Sequence, residues 1–86
     1  MQTDDRYYVY ILRCCDDTLY TGVTKDLDAR VEKHNQGVGA RYTRGRRPVA
    51  LVYSEPAVDK SQALKREIQI KQMSRASKLA LIDRYS

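Results

Sequence analysis

The chain contains no phenylalanine and no tryptophan, and it carries only two cysteines, two prolines and four glycines. Each shortage excludes something. Cys14 and Cys15 are neighbours at what reads as a strand end, where successive side chains point to opposite faces. They therefore suit neither a structural disulfide nor a zinc site and read as small packing residues. Apolar runs extend for only a few residues, whereas a membrane-spanning helix needs about 20. Residues Met1-Gln2-Thr3-Asp4-Asp5 lack the basic and apolar regions of a signal peptide. A cytoplasmic location without a membrane partner is the expectation. With no repeat, low-complexity tract or linker, residues 1–86 read as one domain with a single modest core and no space for a second catalytic module.

What is present is a balanced globular composition, 42% hydrophobic and 31% charged. Sixteen Lys and Arg against eleven Asp and Glu leave a net charge of +5 and a sequence pI near 9.4. The natural partner of such a surface is a polyanion, although small basic proteins can also be merely soluble.

The segment Tyr7-Tyr8-Val9-Tyr10-Ile11-Leu12-Arg13-Cys14 is rich in aromatic and β-branched residues and stops at Asp16-Asp17, which reads as a strand and a turn. Leu19–Thr24 reads as its hairpin partner. Gly22, inside that strand, marks either a bulge or close approach of another group to the backbone. From Thr24 or Asp26 to Asn35 the pattern is helical, with acids at the start and Gly37 as a stop. A glycine- and arginine-rich loop follows from Gln36 to Pro48. Val49–Tyr53 reads as a third strand, central or well covered, ended by Glu55 and Pro56. Asp59 with Gln62 opens a helix running to about Met73. Ser74 caps a last helix, Arg75 to Asp83, expected to pack through Ala76, Leu79 and Ala80. The expected fold class is α/β of the α+β type: a three-stranded, mainly antiparallel sheet flanked by helices, in the order β-β-α-β-α-α.

Polar residues fall where a core would be. At 100° per residue, Val31, His34 and Arg30 of the first helix all lie within about 60° of Leu27. An arginine beside the apolar stripe is costly unless it meets an anion. The alternative places Arg30 along the edge with its guanidinium in water and His34 as a satisfied core histidine. On the later helix, Ala63, Leu64, Ile68, Ile70 and Met73 form a wide apolar arc with Glu67 near its middle. That carboxylate needs a cation: a metal ion, Arg30, Lys60 or Lys71, the last forming a plain ion pair one turn away. Finally, seven tyrosines replace every other aromatic. Tyr10 and Tyr20 share a face only if the hairpin connection has odd length or contains a bulge, which is the expected arrangement.

Together, Tyr8-Val9-Tyr10, Tyr20-Thr21-Gly22, Lys25, Arg30, His34 and Glu67 resemble the GIY-YIG nuclease domain, over nearly the whole chain, and in particular its small single-domain bacterial members. That fold occurs in homing endonucleases, restriction enzymes and the incision subunit of bacterial excision repair. The resemblance implies a metal-dependent endonuclease that hydrolyses phosphodiester bonds in nucleic acid, most naturally DNA, in repair or recombination. It makes Tyr10 and Tyr20 the paired active-site tyrosines, one of them acidified by nearby cations, with Tyr10 favoured on the base side. Arg30 becomes the phosphate-binding cation, His34 a supporting acid or base, and Glu67 the ligand of one Mg²⁺ or Mn²⁺ ion. Lys25 and the loop residues Arg41, Tyr42, Arg44, Arg46 and Arg47 are the candidates for nucleic-acid binding, as a mobile basic arm whose tyrosine stacks on a base.

The chain departs from the family pattern at Tyr8, where the family has glycine, and at Thr21, where it has an apolar residue. No asparagine follows Glu67, where several members place one near the metal, which leaves Lys71 or Lys78 as candidates for its place. The rival readings are a non-catalytic nucleic-acid-binding module and an accessory subunit with the same fold. The accessory reading predicts an exposed apolar patch around Ile70 and Leu81.

Overall fold

The computed structural model describes residues 6–85, so the signal-peptide reading of Met1–Asp5 lies outside the described residues. Strands β1 (Tyr7–Arg13), β2 (Leu19–Thr24) and β3 (Ala50–Ala57) form one sheet in the order β2-β1-β3. Both pairings are antiparallel, with a register irregularity between Ile11 and Leu12 on the β3 side. Helices α1 (Leu27–Asn35), α3 (Lys60–Lys71) and α4 (Arg75–Tyr85) flank it. The α+β class and the element order are as expected, with one addition. The basic loop contains a short helical turn, α2 (Arg41–Arg44).

β1 is the central strand because it is the most continuously apolar, and its alternation feeds both faces of the sheet. Val9 and Ile11 point to one side, where they pack with Tyr53, Ala63 and Ile70. Tyr10, Leu12 and Cys14 point to the other, against Val49, Leu51, Leu27 and Val31. Each complete burial of Val9, Ile11, Leu12 or Ile70 contributes about 1.5–3 kcal/mol. Cys14 is buried, Cys15 is exposed and both are free, as their opposite facing requires.

β3 differs from expectation in two ways. It is an edge strand, and it continues through Glu55 and Pro56 to Ala57. An edge strand tolerates proline because only one of its sides must supply a complete ladder. Glu55 is acceptable there because its carboxylate accepts from the Tyr53 hydroxyl and from Arg66 Nε on α3.

The helix starts follow ordinary capping chemistry. The Asp26 carboxylate accepts from Ala29 N at 3.1 Å and that of Asp59 from Gln62 N at 2.8 Å, each cap contributing about 1 kcal/mol. Ser74 caps α4 through Ser77 N. The packing face of α4 differs from the expected one. Ala76, Leu79 and Ala80 are exposed, and Leu81 and Ile82 meet the core instead. Apolar residues run around most of α4, so spacing alone does not select a face, and the bulkier pair is the one that goes inward.

Candidate active site

The hairpin connection covers residues 14–18, an odd number, and the register pairs Tyr10 with Gly22 and Leu12 with Tyr20. Tyr10 and Tyr20 consequently project from the same face, with ring centroids 6.4 Å apart. Gly22 is the residue directly across from Tyr10. A Cβ there would lie 2.5 Å from Tyr10 Oη and 2.6 Å from Cζ, so the tyrosine ring lies flat over backbone that only glycine leaves open.

α1 covers this face. The Asn35 side chain fixes its C-terminal end to the start of β3, donating to Val49 O at 3.1 Å and accepting from Val49 N at 2.7 Å. His34 is thereby held inward, 1% exposed, with its Nε2 3.0 Å from Tyr10 Oη and its Nδ1 2.8 Å from Thr43 Oγ1. The Tyr20 ring lies 5.2 Å from the imidazole. The segment after α1 passes so near that a Cβ on Gly39 would meet His34 Cγ and Nδ1 at 2.6 Å.

An open cleft of about 620 Å³ adjoins these groups, lined from both faces of the sheet. Tyr10, Tyr20, Gly22 and Arg30 come from the α1 side, while Tyr7, Val23, Leu64 and Glu67 come from the α3 side around the β2 edge. Lys25, Lys33 and Lys60 complete a basic rim. The Arg30 guanidinium has no hydrogen bond or ion pair among the described residues, which leaves a half-buried cation open to an anion. Glu67, with a side chain 18% exposed, pairs with Lys71 Nζ at 3.3 Å.

Burial pushes the Tyr10 hydroxyl well above the usual phenol range; Tyr20 and Glu67 add to this and Arg30 opposes it. The expected acidification by cations is therefore not met at Tyr10, because desolvation of the anion outweighs them. His34 moves the other way. Burial first, and the charge of Arg30 second, hold its imidazole below the ordinary value, so it is a neutral base at physiological pH.

A family model described as the GIY-YIG catalytic domain matches residues 6–80. The chain belongs to the GIY-YIG family. A UPF0213 protein of Staphylococcus aureus (strain Mu3) is 59% identical over 78 residues, covering 91% of this chain and 95% of its own length. Two solution NMR structures share the fold over 91% of this chain and 83% of theirs. The UPF0213 protein of Bacillus halodurans is 45% identical with a TM-score of 0.59, and a protein of E. faecalis is 38% identical with a TM-score of 0.60. The GIY-YIG assignment puts the chain in a nuclease superfamily.

Of the predicted site residues, the GIY-YIG fold brings Tyr10, Tyr20, Lys25, Arg30 and Glu67 to one cleft, with His34 directly behind Tyr10. The loop residues divide. Arg41 and Arg44 are exposed on α2. Arg47 is a brace, donating from Nε to Arg44 O at 2.8 Å and from Nη1 to Asn35 O at 3.3 Å. Arg46 lies 3.1 Å from Asp16 Oδ2 in an ion pair and 4.3 Å above the Tyr42 ring, while Tyr42 also stacks on Tyr20 at 5.8 Å. Tyr42 is thus already engaged on the protein, and the expected mobile arm is in large part tied down. Of the two lysines considered for the missing asparagine, Lys71 is beside Glu67 and Lys78 lies in a separate groove with Thr18, Leu19, Tyr42 and Arg75. The expected patch at Ile70 and Leu81 is absent, since Ile70 is fully buried and Leu81 packs on the core. Sequence reasoning missed Lys33 and Thr43, and it weighed Lys60 only as a partner for Glu67, not as part of the cleft rim. Lys33 stands about one turn from Arg30 and Lys60 about two turns from Glu67, each on the cleft side of a helix already singled out, and that spacing was the available signal.

A divalent ion fits the donor set in one specific way. Among the described residues no three His, Cys, Asp or Glu side chains gather, so an all-protein cage is excluded there. A single half-buried carboxylate facing a roomy cleft suits Mg²⁺ or Mn²⁺, which keeps several waters and shares its remaining positions with substrate phosphate.

Proposed function

We propose that this chain is a divalent-metal-dependent endonuclease that hydrolyses phosphodiester bonds in DNA, acting in the cytoplasm in repair or recombination. The observation that carries the reading is the Tyr10–His34 hydrogen bond, set behind a cleft whose opposite walls present an unpaired Arg30 and a carboxylate.

The chemistry follows from the two shifted groups. Tyr10 is too buried to persist as a phenolate, so it acts as a relay rather than as a preformed base. An attacking water gives its proton to Tyr10 Oη while the Tyr10 proton passes to His34 Nε2, leaving a neutral tyrosine, an imidazolium and a new P–O bond. The leaving oxygen departs and takes its proton from solvent. A positioned general base of this kind contributes roughly 10²–10⁴-fold. Arg30 binds the phosphate and stabilises the charge that builds on it, and Lys25, Lys33 and Lys60 draw the backbone into the cleft. Glu67 would hold the metal, which when bound adds positive charge at the phosphate and leaving oxygens.

The test is incubation with labelled branched, duplex and single-stranded DNA plus Mg²⁺ or Mn²⁺, alongside Glu67→Ala and Arg30→Ala. Metal-dependent cutting lost in both variants is the expected result. Salt-sensitive binding with no cutting of any substrate would replace the enzyme with a binding module.

A further inference from the structure

We propose that Thr43 is a positioning residue: its buried hydroxyl holds His34 in the Nδ1–H tautomer, leaving the Nε2 lone pair to accept the proton of Tyr10. The inference rests on the hydrolytic reading for its consequence but not for its geometry. A threonine hydroxyl has one proton to give. Thr43 Oγ1 donates it to Ala40 O at 3.1 Å, so at 2.8 Å from His34 Nδ1 the oxygen accepts. The proton in that second bond belongs to Nδ1. A neutral imidazole carries one N–H, and Nε2 is then bare. Facing it at 3.0 Å is Tyr10 Oη, which donates. The chain Tyr10–His34–Thr43–Ala40 therefore runs in one direction, outward from the cleft.

The surroundings leave the imidazole little alternative. Thr43 is 0% exposed and His34 1%, and Gly39 closes over the ring edge that carries Nδ1. The groups with charge or a titratable proton that face His34 are Tyr10 from β1, Tyr20 from β2 and Arg30 from α1 itself. Arg30 opposes a second proton on the ring in the resting state, so neutral His34 has to be sorted between two tautomers, and Thr43 does the sorting. In the reverse tautomer Nε2–H would point at Tyr10 Oη, the hydroxyl would lose its acceptor, and the relay would have no first step. This gives the short helix α2 a purpose: it places Thr43, one turn after Ala40, under the histidine.

The experiment exploits the fact that His34 is the only histidine in the chain, so a ¹⁵N-imidazole-labelled sample gives one ring to read. Long-range ¹H–¹⁵N correlation spectra of the full chain near neutral pH are expected to show Nδ1 protonated and Nε2 unprotonated. Thr43→Ser keeps that pattern, whereas Thr43→Val, similar in shape without the hydroxyl, moves the ring toward Nε2–H or a mixture. Cleavage by Thr43→Val is expected to fall about tenfold to hundredfold in kcat with KM unchanged, and Thr43→Ser to stay within about threefold. Wild-type protein with the proton on Nε2 overturns the assignment, as does a Thr43→Val ring indistinguishable from wild type. Where Thr43→Val fails to fold, the wild-type and Thr43→Ser spectra still decide. Failure of the nuclease reading is separable, because an inactive chain that shows the Nδ1–H ring keeps the assignment and loses only the reaction.

Discussion

Gly22→Ala separates the placement of Tyr10 from its mere presence. The added methyl would lie 2.5 Å from Tyr10 Oη and 2.6 Å from Cζ, so about 1 Å must be found to reach ordinary van der Waals distance. A flexible surface side chain would swing away at small cost. Tyr10 is not free to do so, being 2% exposed, hydrogen-bonded to His34 and packed against Tyr20. Moving the ring by that amount stretches a 3.0 Å hydrogen bond beyond useful length. Overpacking of this kind costs about 1–3 kcal/mol, and at about 4–8 °C per kcal/mol for a domain this small the melting midpoint falls by roughly 5–20 °C. A misplacement near 1 Å at a reacting group costs on the order of 10²-fold in rate. Circular dichroism melting and single-turnover cleavage well below the lowered midpoint read the two effects separately. A folded Gly22→Ala variant that cuts at the wild-type rate would refute the idea that the Tyr10–His34 alignment carries the chemistry.

Further outcomes follow from other parts of the structure. Lys71→Met removes the ammonium that competes for Glu67, an ion pair of about 0.3–1 kcal/mol, so Mn²⁺ titrated by electron paramagnetic resonance should bind roughly twofold to fivefold more tightly; weaker binding would make Lys71 part of the metal site. Because the imidazole of His34 is depressed in the fold, the unfolded chain takes up its proton first on acidification. Stability should therefore be intact above pH 6.5, the ordinary imidazole value, and fall as the pH drops from there through the folded value. An unchanged midpoint across that range in a melting series would contradict the burial argument. Arg44→Ala should lower the slope of log binding constant against log salt by about 1, whereas Arg47→Ala should lower the melting midpoint and leave the slope alone; the reverse pattern would show that the brace and the phosphate contact had been exchanged.

How much of this was legible depended on the range of the signal. Alternation and capping are local, so the strands, the three long helices and the class of fold came directly from Tyr7–Cys14, Leu19–Thr24, Asp26–Asn35, Val49–Tyr53, Asp59–Gln62 and the cap at Ser74. The shared face of Tyr10 and Tyr20 was legible as well, because parity alone settles it once the connection is odd. Non-local facts were not. The continuation of β3 through Pro56 depends on its edge position, and the acceptance of Glu55 depends on Arg66, eleven residues later. The basic loop reads as a mobile arm because composition cannot reveal that Arg47 donates to the carbonyls of Arg44 and Asn35 or that Arg46 meets Asp16. Thr43 gave no signal at all, since a threonine in an arginine-rich loop looks like any other polar residue until its partner is known.

The same distinction between local and non-local signals applies to the carboxylate, whose residue was legible but whose support was not. Tyr10, Tyr20, Arg30 and His34 occupy one face of the sheet, and their relation follows from strand parity and one helix. Glu67 belongs to the opposite face, on the helix whose Ala63 and Ile70 pack on Val9 and Ile11. It reaches the cleft only because β2 is an edge strand, around which α3 can present the border of its buried stripe. That arrangement sets Glu67 and the Tyr10–His34 pair on separate supports, each with its own packing. Loss of the carboxylate should therefore leave the imidazole tautomer and the melting midpoint nearly untouched while removing metal binding. In Glu67→Gln, an unchanged His34 ring spectrum together with lost Mn²⁺ affinity is the expected pair of results. A shifted ring spectrum would show that the two halves of the cleft are one coupled unit.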